Sequence, residues 1–130
     1  MTAFLLDSNA LVLAMTRPEQ LSSTARSIIE DLENRTFASA ASAYELAYKY
    51  SRGRLAALDP IMTGYRQHVK RVVTEELSLT AEHALAAASF DWPHRDPFDR
   101  MIAAQAAVEG LTLVTSDRAL QEFRLVNTIW

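Results

Sequence analysis

The stretch AFLLDSNALV at residues 3–12 decides the fold of this chain. Four apolar residues, Ala3 to Leu6, end at Asp7-Ser8-Asn9, a run of residue types that cap helices, and the apolar pattern resumes at Ala10. This order predicts a strand, a turn and a helix. Short strands alternate with helical stretches along the rest of the chain. We therefore expect an α/β fold in which right-handed crossovers build an open, largely parallel sheet covered on both faces.

The other elements are predicted from apolar spacing and from helix start and stop residues. Strands are expected at Thr36–Ala38, Glu76–Leu79, Leu111–Val114 and Val126–Trp130. Helices are expected at Pro18–Glu33, Ala40–Ser51 with a stop near Gly53, Asp59 to about Thr74, Thr80 to about Ser89, and Pro97–Glu109 with a stop at Gly110.

Length and composition predict one globular domain over residues 1–130, with 49% hydrophobic and 22% charged residues. The net charge of −3 excludes a polybasic arm, so any nucleic-acid binding needs a local basic patch. The chain has no Cys, which excludes disulfides and thiolate metal sites and fits a reducing cytoplasm. The N-terminus lacks a basic region before its apolar residues, and no apolar run approaches about 18 residues. We expect a cytoplasmic protein without membrane contact.

Four carboxylates occupy positions where the surrounding sequence is apolar or uncharged: Asp7, Glu45, Asp99 and Asp117. Each has an ordinary structural explanation, because Asp residues cap helices, the helix dipole favours acids in a first turn, and Glu45 could pair with Arg52 or another base. Four together are harder to explain that way. Ligands of open parallel sheets bind outside the carboxyl ends of the strands, where Asp7 and Asp117 are expected. The pattern therefore predicts that the four acids converge.

Converging carboxylates need a positive charge among them, since two charges about 4 Å apart repel by about 4 kcal/mol at an effective dielectric constant of 20. The three His residues have no zinc-ligand spacing. Oxygen ligands without His or Cys suit Mg²⁺, for which Mn²⁺ can substitute. Such sites support phosphoryl-transfer chemistry by positioning a water and neutralising charge on phosphate oxygens.

Four segments carry a further signal: LLDSNALV at 5–12, SAYELAYKYSRGRL at 42–55, HRDPFDRMIAAQA at 94–106 and LVTSDRAL at 113–120. Together they resemble the PIN-domain ribonucleases, in particular the VapC-type toxins of bacterial toxin–antitoxin pairs. HRDPFDRMIAAQA is the most specific of the four. The resemblance spans nearly the whole chain and implies a PIN-like three-layer α/β/α sandwich with a small, mainly parallel sheet.

The resemblance further implies a metal-dependent endoribonuclease that hydrolyses RNA phosphodiester bonds, is neutralised by a cognate VapB-like antitoxin, and forms homodimers. The family's acidic cluster maps onto Asp7, Glu45, Asp99 and Asp117, with Asp7, Asp99 and Asp117 as metal ligands. Ser8 and Ser116 match supporting positions, whereas Asp96 is expected to cap a helix. Asn9 departs from the closest subfamily, which often has His there.

Basic residues near the acids could hold an RNA backbone: Lys49, Arg52, Arg54, Arg95, Arg100 and Arg118. His68 and His94 are expected at the surface or at caps, and Tyr44, Tyr48 and Tyr50 in the core. Two other functions stay open. A phosphoaspartyl phosphatase or receiver-like domain would use Asp7 as its nucleophile, although Asn9 stands where the phosphatase needs a second acid. A binding module with a vestigial site is the other.

Overall fold

Five parallel strands form the centre of the computed structural model, which describes residues 2–53 and 58–130. They are β1 (Ala3–Leu6), β2 (Arg35–Ser39), β3 (Glu75–Leu77), β4 (Thr112–Val114) and β5 (Thr128–Ile129). Their order across the sheet is β3-β2-β1-β4-β5. Leu6 at the end of β1 pairs with Ala38 of β2 on one side and Val114 of β4 on the other. The strand order reverses between β1 and β4, which is where parallel sheets bind ligands.

Helices cover both faces of the sheet. Their bounds are α1 (Ser8–Thr16), α2 (Ser23–Glu30), α3 (Ala40–Ser51), α4 (Asp59–Met62), α5 (Tyr65–Val72), α6 (Ala81–Ser89), α7 (Pro97–Glu109) and α8 (Arg118–Glu122). Successive residues of β1 face opposite layers, because side chains alternate along a strand. Leu6 packs in a core with Leu11 of α1 and Val69 of α5, whereas Leu5 packs with Ile102 of α7 and Leu120 of α8. The predicted three-layer α/β/α architecture is confirmed.

Two predicted helices are interrupted in the structure. Between Pro18 and Glu33 the chain forms a 3₁₀ turn over Pro18–Gln20, and α2 begins only after Ser22, whose hydroxyl accepts a hydrogen bond from the backbone N–H of Ala25. The helix predicted from Asp59 to about Thr74 breaks at Gly64, whose φ of 73° lies in the left-handed region that ends α4 and precedes α5. Helix α8 was not predicted.

Within residues 2–53 and 58–130, no helix has both the length and the apolar character needed to span a bilayer.

Residues that start and stop helices predicted the bounds of α7 correctly. The N–H groups at the start of α7 bond to the Asp96 side chain, which therefore caps this helix as expected, and Gly110 ends it with a φ of 68°.

Candidate active site

The four carboxylates predicted to converge line one cavity of about 330 Å³ beside the carboxyl ends of β1 and β4. Local structure sets the positions of three of them. Asp7 caps α1 directly after β1, Asp117 caps α8 after β4, and Asp99 lies in the first turn of α7. Glu45 comes from the middle of α3. The cavity is also lined by Ser8, Asn9, Lys49, Asp96 and Ser116. The capping explanation and the convergence are therefore both correct for Asp7 and Asp117.

Asp7 is buried, with 5% of its surface exposed, and both of its carboxylate oxygens accept hydrogen bonds. Oδ1 accepts from the backbone N–H of Ala10 at 2.7 Å, and Oδ2 accepts from the hydroxyl of Thr115. Burial raises the pKa of Asp7 to about 6, the two hydrogen bonds oppose this rise, and the charges of Asp99 and Asp117 add to it. The cavity is thus electrostatically unfavourable for the charged form of Asp7 beside Asp99 and Asp117.

Glu45 is buried as well and joins the Asp7 side of the cavity through Ser8. The Ser8 hydroxyl donates to Glu45 Oε1 at 2.6 Å and lies 2.8 Å from the Ser42 hydroxyl. The other oxygen, Oε2, pairs with Lys49 Nζ at 2.6 Å, one helical turn along α3. The expected ion pair of Glu45 therefore forms with Lys49, and it leaves one ammonium group beside the acidic cavity.

Asp99 is partly buried at the N-terminus of α7, and a histidine contacts it. His94 Nε2 lies 2.7 Å from Asp99 Oδ2. Burial raises the pKa of Asp99, the hydrogen bond from His94 opposes the rise, and the charges of Asp96 and Asp117 add to it. His94 was expected at the surface or at a cap, because the sequence does not reveal which carboxylate a loop residue will meet.

Thr115 is a site residue that the sequence analysis missed. It is fully buried, its hydroxyl donates to Asp7, and the same oxygen accepts from the backbone N–H of Asp117 at 3.0 Å. One hydroxyl thus connects the two acids that follow β1 and β4. The polar residue directly after an apolar strand was the available signal. Ser116, which was predicted to support the site, is exposed and lines the cavity.

Of the described basic residues predicted to bind RNA, only Lys49 lines the acidic cavity. Arg52 is exposed with its guanidinium 4.9 Å from the Tyr48 ring centre, and Arg95 and Arg118 are exposed. Arg100 lies elsewhere than expected, because its guanidinium donates to four backbone carbonyls instead of facing the cavity. Arg54 lies outside the described residues.

The expectation that the tyrosines of α3 lie in the core is wrong for two of them. Tyr44 is 63% exposed and Tyr48 is 40% exposed, and their rings stack on each other. Tyr50 packs against the core, as expected. A helix that is buried on one face exposes its opposite face to solvent, and residues four positions apart lie on the same face. Tyr44 and Tyr48 share the exposed face of α3.

The donor set of the cavity is suited to a hard divalent cation. Its lining polar atoms are carboxylate, hydroxyl and amide oxygens from residues such as Asp7, Asp99 and Asn9, together with one lysine. In the part of the chain that the structure describes, no three carboxylate or imidazole groups already lie close enough to hold a metal ion. Mg²⁺ is commonly held by one or two carboxylates while it keeps several waters, so a closed cage is not required. The residues present therefore fit Mg²⁺ or Mn²⁺.

Comparison with known proteins shows the family and the fold of this chain. The family model of the PIN domain matches residues 4–125. The chain is 32% identical over 132 residues to Ribonuclease VapC22 of Mycobacterium tuberculosis (strain ATCC 25618 / H37Rv), covering 100% of both chains. The fold is similar to that of VapBC2 from Rickettsia felis bound to a promoter DNA fragment, with a TM-score of 0.74 at 17% identity over 98% of each chain. DNA-bound VapBC from Salmonella typhimurium gives 0.73 at 19% identity, over 99% of this chain and 98% of that one.

Proposed function

Because this chain belongs to the PIN-domain family, we propose that it is an endoribonuclease toxin of the VapC type that requires Mg²⁺ or Mn²⁺. The observation that supports this most strongly is the shared cavity of Asp7, Glu45, Asp99 and Asp117 at the point where the strand order reverses. Carboxylate, hydroxyl and amide oxygens in one cavity suit a divalent cation and, through it, the phosphates of a nucleic acid.

In this proposal Asp7, Asp99 and Asp117 would hold the cation, with one or two of them in direct contact and the rest bound through its waters. A bound Mg²⁺ supplies a Lewis acid that lowers the pKa of water and neutralises charge on a phosphodiester. Glu45 would orient the attacking water, because Ser8 and Lys49 hold both of its oxygens in place. Thr115 keeps Asp7 and Asp117 in register by its two hydrogen bonds.

Cationic side chains around the cavity would bind the RNA backbone. Lys49 lies in the cavity wall, and Arg52, Arg95 and Arg118 are exposed, so that their guanidinium groups could contact phosphate groups. Lys49 already compensates Glu45, so its contribution to RNA binding should be the smallest. Arg100 is left out of this set because its guanidinium holds backbone carbonyls.

The test is RNA cleavage by the antitoxin-free protein with Mg²⁺, with Mn²⁺ and with EDTA, on total RNA and on structured transcripts. Asp7→Asn and Asp99→Asn should each abolish cleavage while leaving the fold intact. Asp31→Asn is the matched control, since Asp31 is an exposed acid on a different part of the surface. Equal cleavage in Mg²⁺ and in EDTA would contradict the proposal.

The phosphoaspartyl alternative is not favoured by the residue two positions after Asp7. A phosphoaspartyl phosphatase needs a second acid there, whereas Asn9 occupies this position and lines the cavity with an amide. Incubation with a small phosphodonor such as acetyl phosphate should therefore leave the mass of the protein unchanged. A mass increase of one phosphate at Asp7 would favour this alternative instead.

We further propose that a VapB-like antitoxin inhibits the enzyme by placing a basic side chain among the acids of the cavity. Such a cation would replace the charge of the metal and relieve the repulsion that Asp99 and Asp117 exert on Asp7. The purified complex should neither cleave RNA nor gain stability from Mg²⁺. A complex whose antitoxin leaves the cavity open to solvent would contradict this mode of inhibition.

A homodimer and a cytoplasmic location also belong to the proposal. One apolar hollow of about 320 Å³ is lined by six residues, of which Tyr44 and Leu79 are exposed: Ala40, Ala41, Tyr44, Leu79, Phe98 and Met101. A second copy of the chain could cover this surface. Light scattering after size-exclusion chromatography should give twice the 14.5 kDa mass of the chain, and Tyr44→Lys should give a monomer. A monomeric wild-type protein would contradict the homodimer.

A further inference from the structure

The contact between His94 and Asp99 joins the acidic cavity to a loop of irregular structure. This loop covers residues 90–96, between α6 and α7. His94 Nε2 lies 2.7 Å from Asp99 Oδ2, and the histidine side chain is 28% exposed while the aspartate is 18% exposed. A loop residue can hold a carboxylate in one orientation only if the loop itself is held.

Arg100 holds this loop through its backbone. Its Nη1 donates to the carbonyls of Trp92 and His94, both at 2.8 Å, and its Nη2 donates to the carbonyl of Phe90 at 2.7 Å. Its Nε donates to the carbonyl of Ala87 at the end of α6. The planar guanidinium offers donors in a fixed fork, so a single side chain sets the path of the loop relative to α7.

Aromatic packing against Trp92 also restricts the orientation of the His94 imidazole. The Trp92 ring centre lies 4.9 Å from that of His94, and Trp92 stacks on Phe123 at 4.2 Å with an interplanar angle of 14°. Phe123 is buried in the core at the end of α8. The imidazole is therefore held by the backbone through Arg100 and by the core through Trp92.

The structure contains a second histidine–carboxylate pair that serves as an internal comparison. His83 is buried, its Nδ1 accepts from the backbone N–H of Thr80, and its Nε2 lies 2.8 Å from Glu109. This pair joins the start of α6 to the end of α7. Glu109 is not among the residues that line the acidic cavity. The His83–Glu109 contact therefore joins two helices away from the cavity, whereas the His94–Asp99 contact adjoins the candidate active site.

We propose that His94 is a positioning residue that orients Asp99 for metal binding, and that Arg100 and Trp92 hold the imidazole in place for this role. The proposal rests on the proposed function, because it requires Asp99 to bind the cation. A donor fixed on Oδ2 limits rotation of the carboxylate and leaves Oδ1 as the atom offered to the metal. Hydrogen-bond partners of metal-binding groups act in this way in many proteins, and their loss costs about 10- to 100-fold in metal affinity or activity.

Three variants separate this role from a general effect on stability. His94→Phe keeps an aromatic ring against Trp92 but removes the donor. His94→Gln loses the ring but carries a donor nitrogen at about the position of Nε2. His83→Gln disturbs the buried pair with Glu109 outside the cavity. Each full-length protein is titrated with Mn²⁺ by calorimetry, melted in EDTA, and assayed for kcat and KM with an RNA substrate.

We expect His94→Phe to weaken Mn²⁺ binding by about 10- to 100-fold and to lower kcat with little change in KM for RNA. His94→Gln should recover most of the affinity, and His83→Gln should lower the melting temperature without changing the affinity. The inference is overturned by wild-type Mn²⁺ affinity in His94→Phe, by a His94→Gln protein as weak as His94→Phe, or by an equal loss in His83→Gln. If the wild type itself neither binds Mn²⁺ nor cleaves RNA, the proposed function fails, and this inference fails with it.

Discussion

Replacing Asp7 with Asn should stabilise the metal-free protein. Asp7 is 5% exposed, and its pKa of about 6 lies above the ordinary value of 3.8 because burial disfavours the charged form. A rise of this size corresponds to about 3 kcal/mol of native-state destabilisation once the group is fully charged. Asn keeps an oxygen for the Ala10 N–H and caps helices as well as Asp does, and its amide can donate to the Thr115 hydroxyl, which donates to Asp7 in the wild type.

The pH dependence of this gain has a definite sign. Between pH 3.8 and about 6 the native state binds a proton at Asp7 more tightly than the unfolded chain does, so the free energy of unfolding falls as the pH rises. The destabilisation is about half developed at pH 5 and reaches about 3 kcal/mol at pH 8. Asp7→Asn removes it, so the variant gains more at pH 8 than at pH 5.

Thermal melts in EDTA at pH 5 and pH 8 measure this difference. For a domain of 130 residues, about 3 kcal/mol corresponds to a rise of about 10 °C in melting temperature, and local relaxation would reduce it to several degrees. Asp31→Asn is the control, because the Asp31 side chain also accepts a backbone N–H, from Glu33, but is exposed and is not among the residues that line the cavity. A lower melting temperature for Asp7→Asn at pH 8, or an equal gain at both pH values, would refute the reasoning.

Three further predictions concern the metal, the Thr115 hydroxyl and the Arg100 side chain. At 100 times its dissociation constant, Mg²⁺ should stabilise the wild type by about 2.7 kcal/mol, and Asp99→Asn should lose most of this gain in thermal melts; an unchanged gain would remove Asp99 from the metal site. Thr115→Val should raise the pKa of Asp7 further and lower stability at pH 8 by about 1–3 kcal/mol, because the variant loses a hydrogen bond to a buried carboxylate. Asp7 titration by NMR and urea unfolding measure the two effects, and an unaltered pKa would contradict the first. Arg100→Lys should cost about 2–4 kcal/mol in urea unfolding, since one ammonium cannot donate to four separate carbonyls; wild-type stability would show that the loop is held by other contacts.

The elements that could be predicted are those whose signals are local. Helix α7 begins and ends where its Asp-Pro start and its glycine stop place it, and β1 ends at the first charged residue of the chain. The helix breaks at Ser22 and Gly64 were not predicted, although each is a residue type that starts or stops helices. In both segments the apolar spacing continued across the break, and tertiary packing decided which turn stayed helical.

The sequence by itself determined the kind of site, whereas the tertiary structure decided which side chains serve it. Asp7 and Asp117 are the first charges after apolar strands, and parallel strands bring their carboxyl ends to one edge of the sheet, so their convergence follows from order along the chain. The contacts of His94 with Asp99 and of Thr115 with Asp7, and the use of Arg100 to hold a loop instead of RNA, depend on atoms brought together by folding. Hydrogen bonds act over about 3 Å, and only the packed chain sets distances of that size between residues that are far apart in sequence.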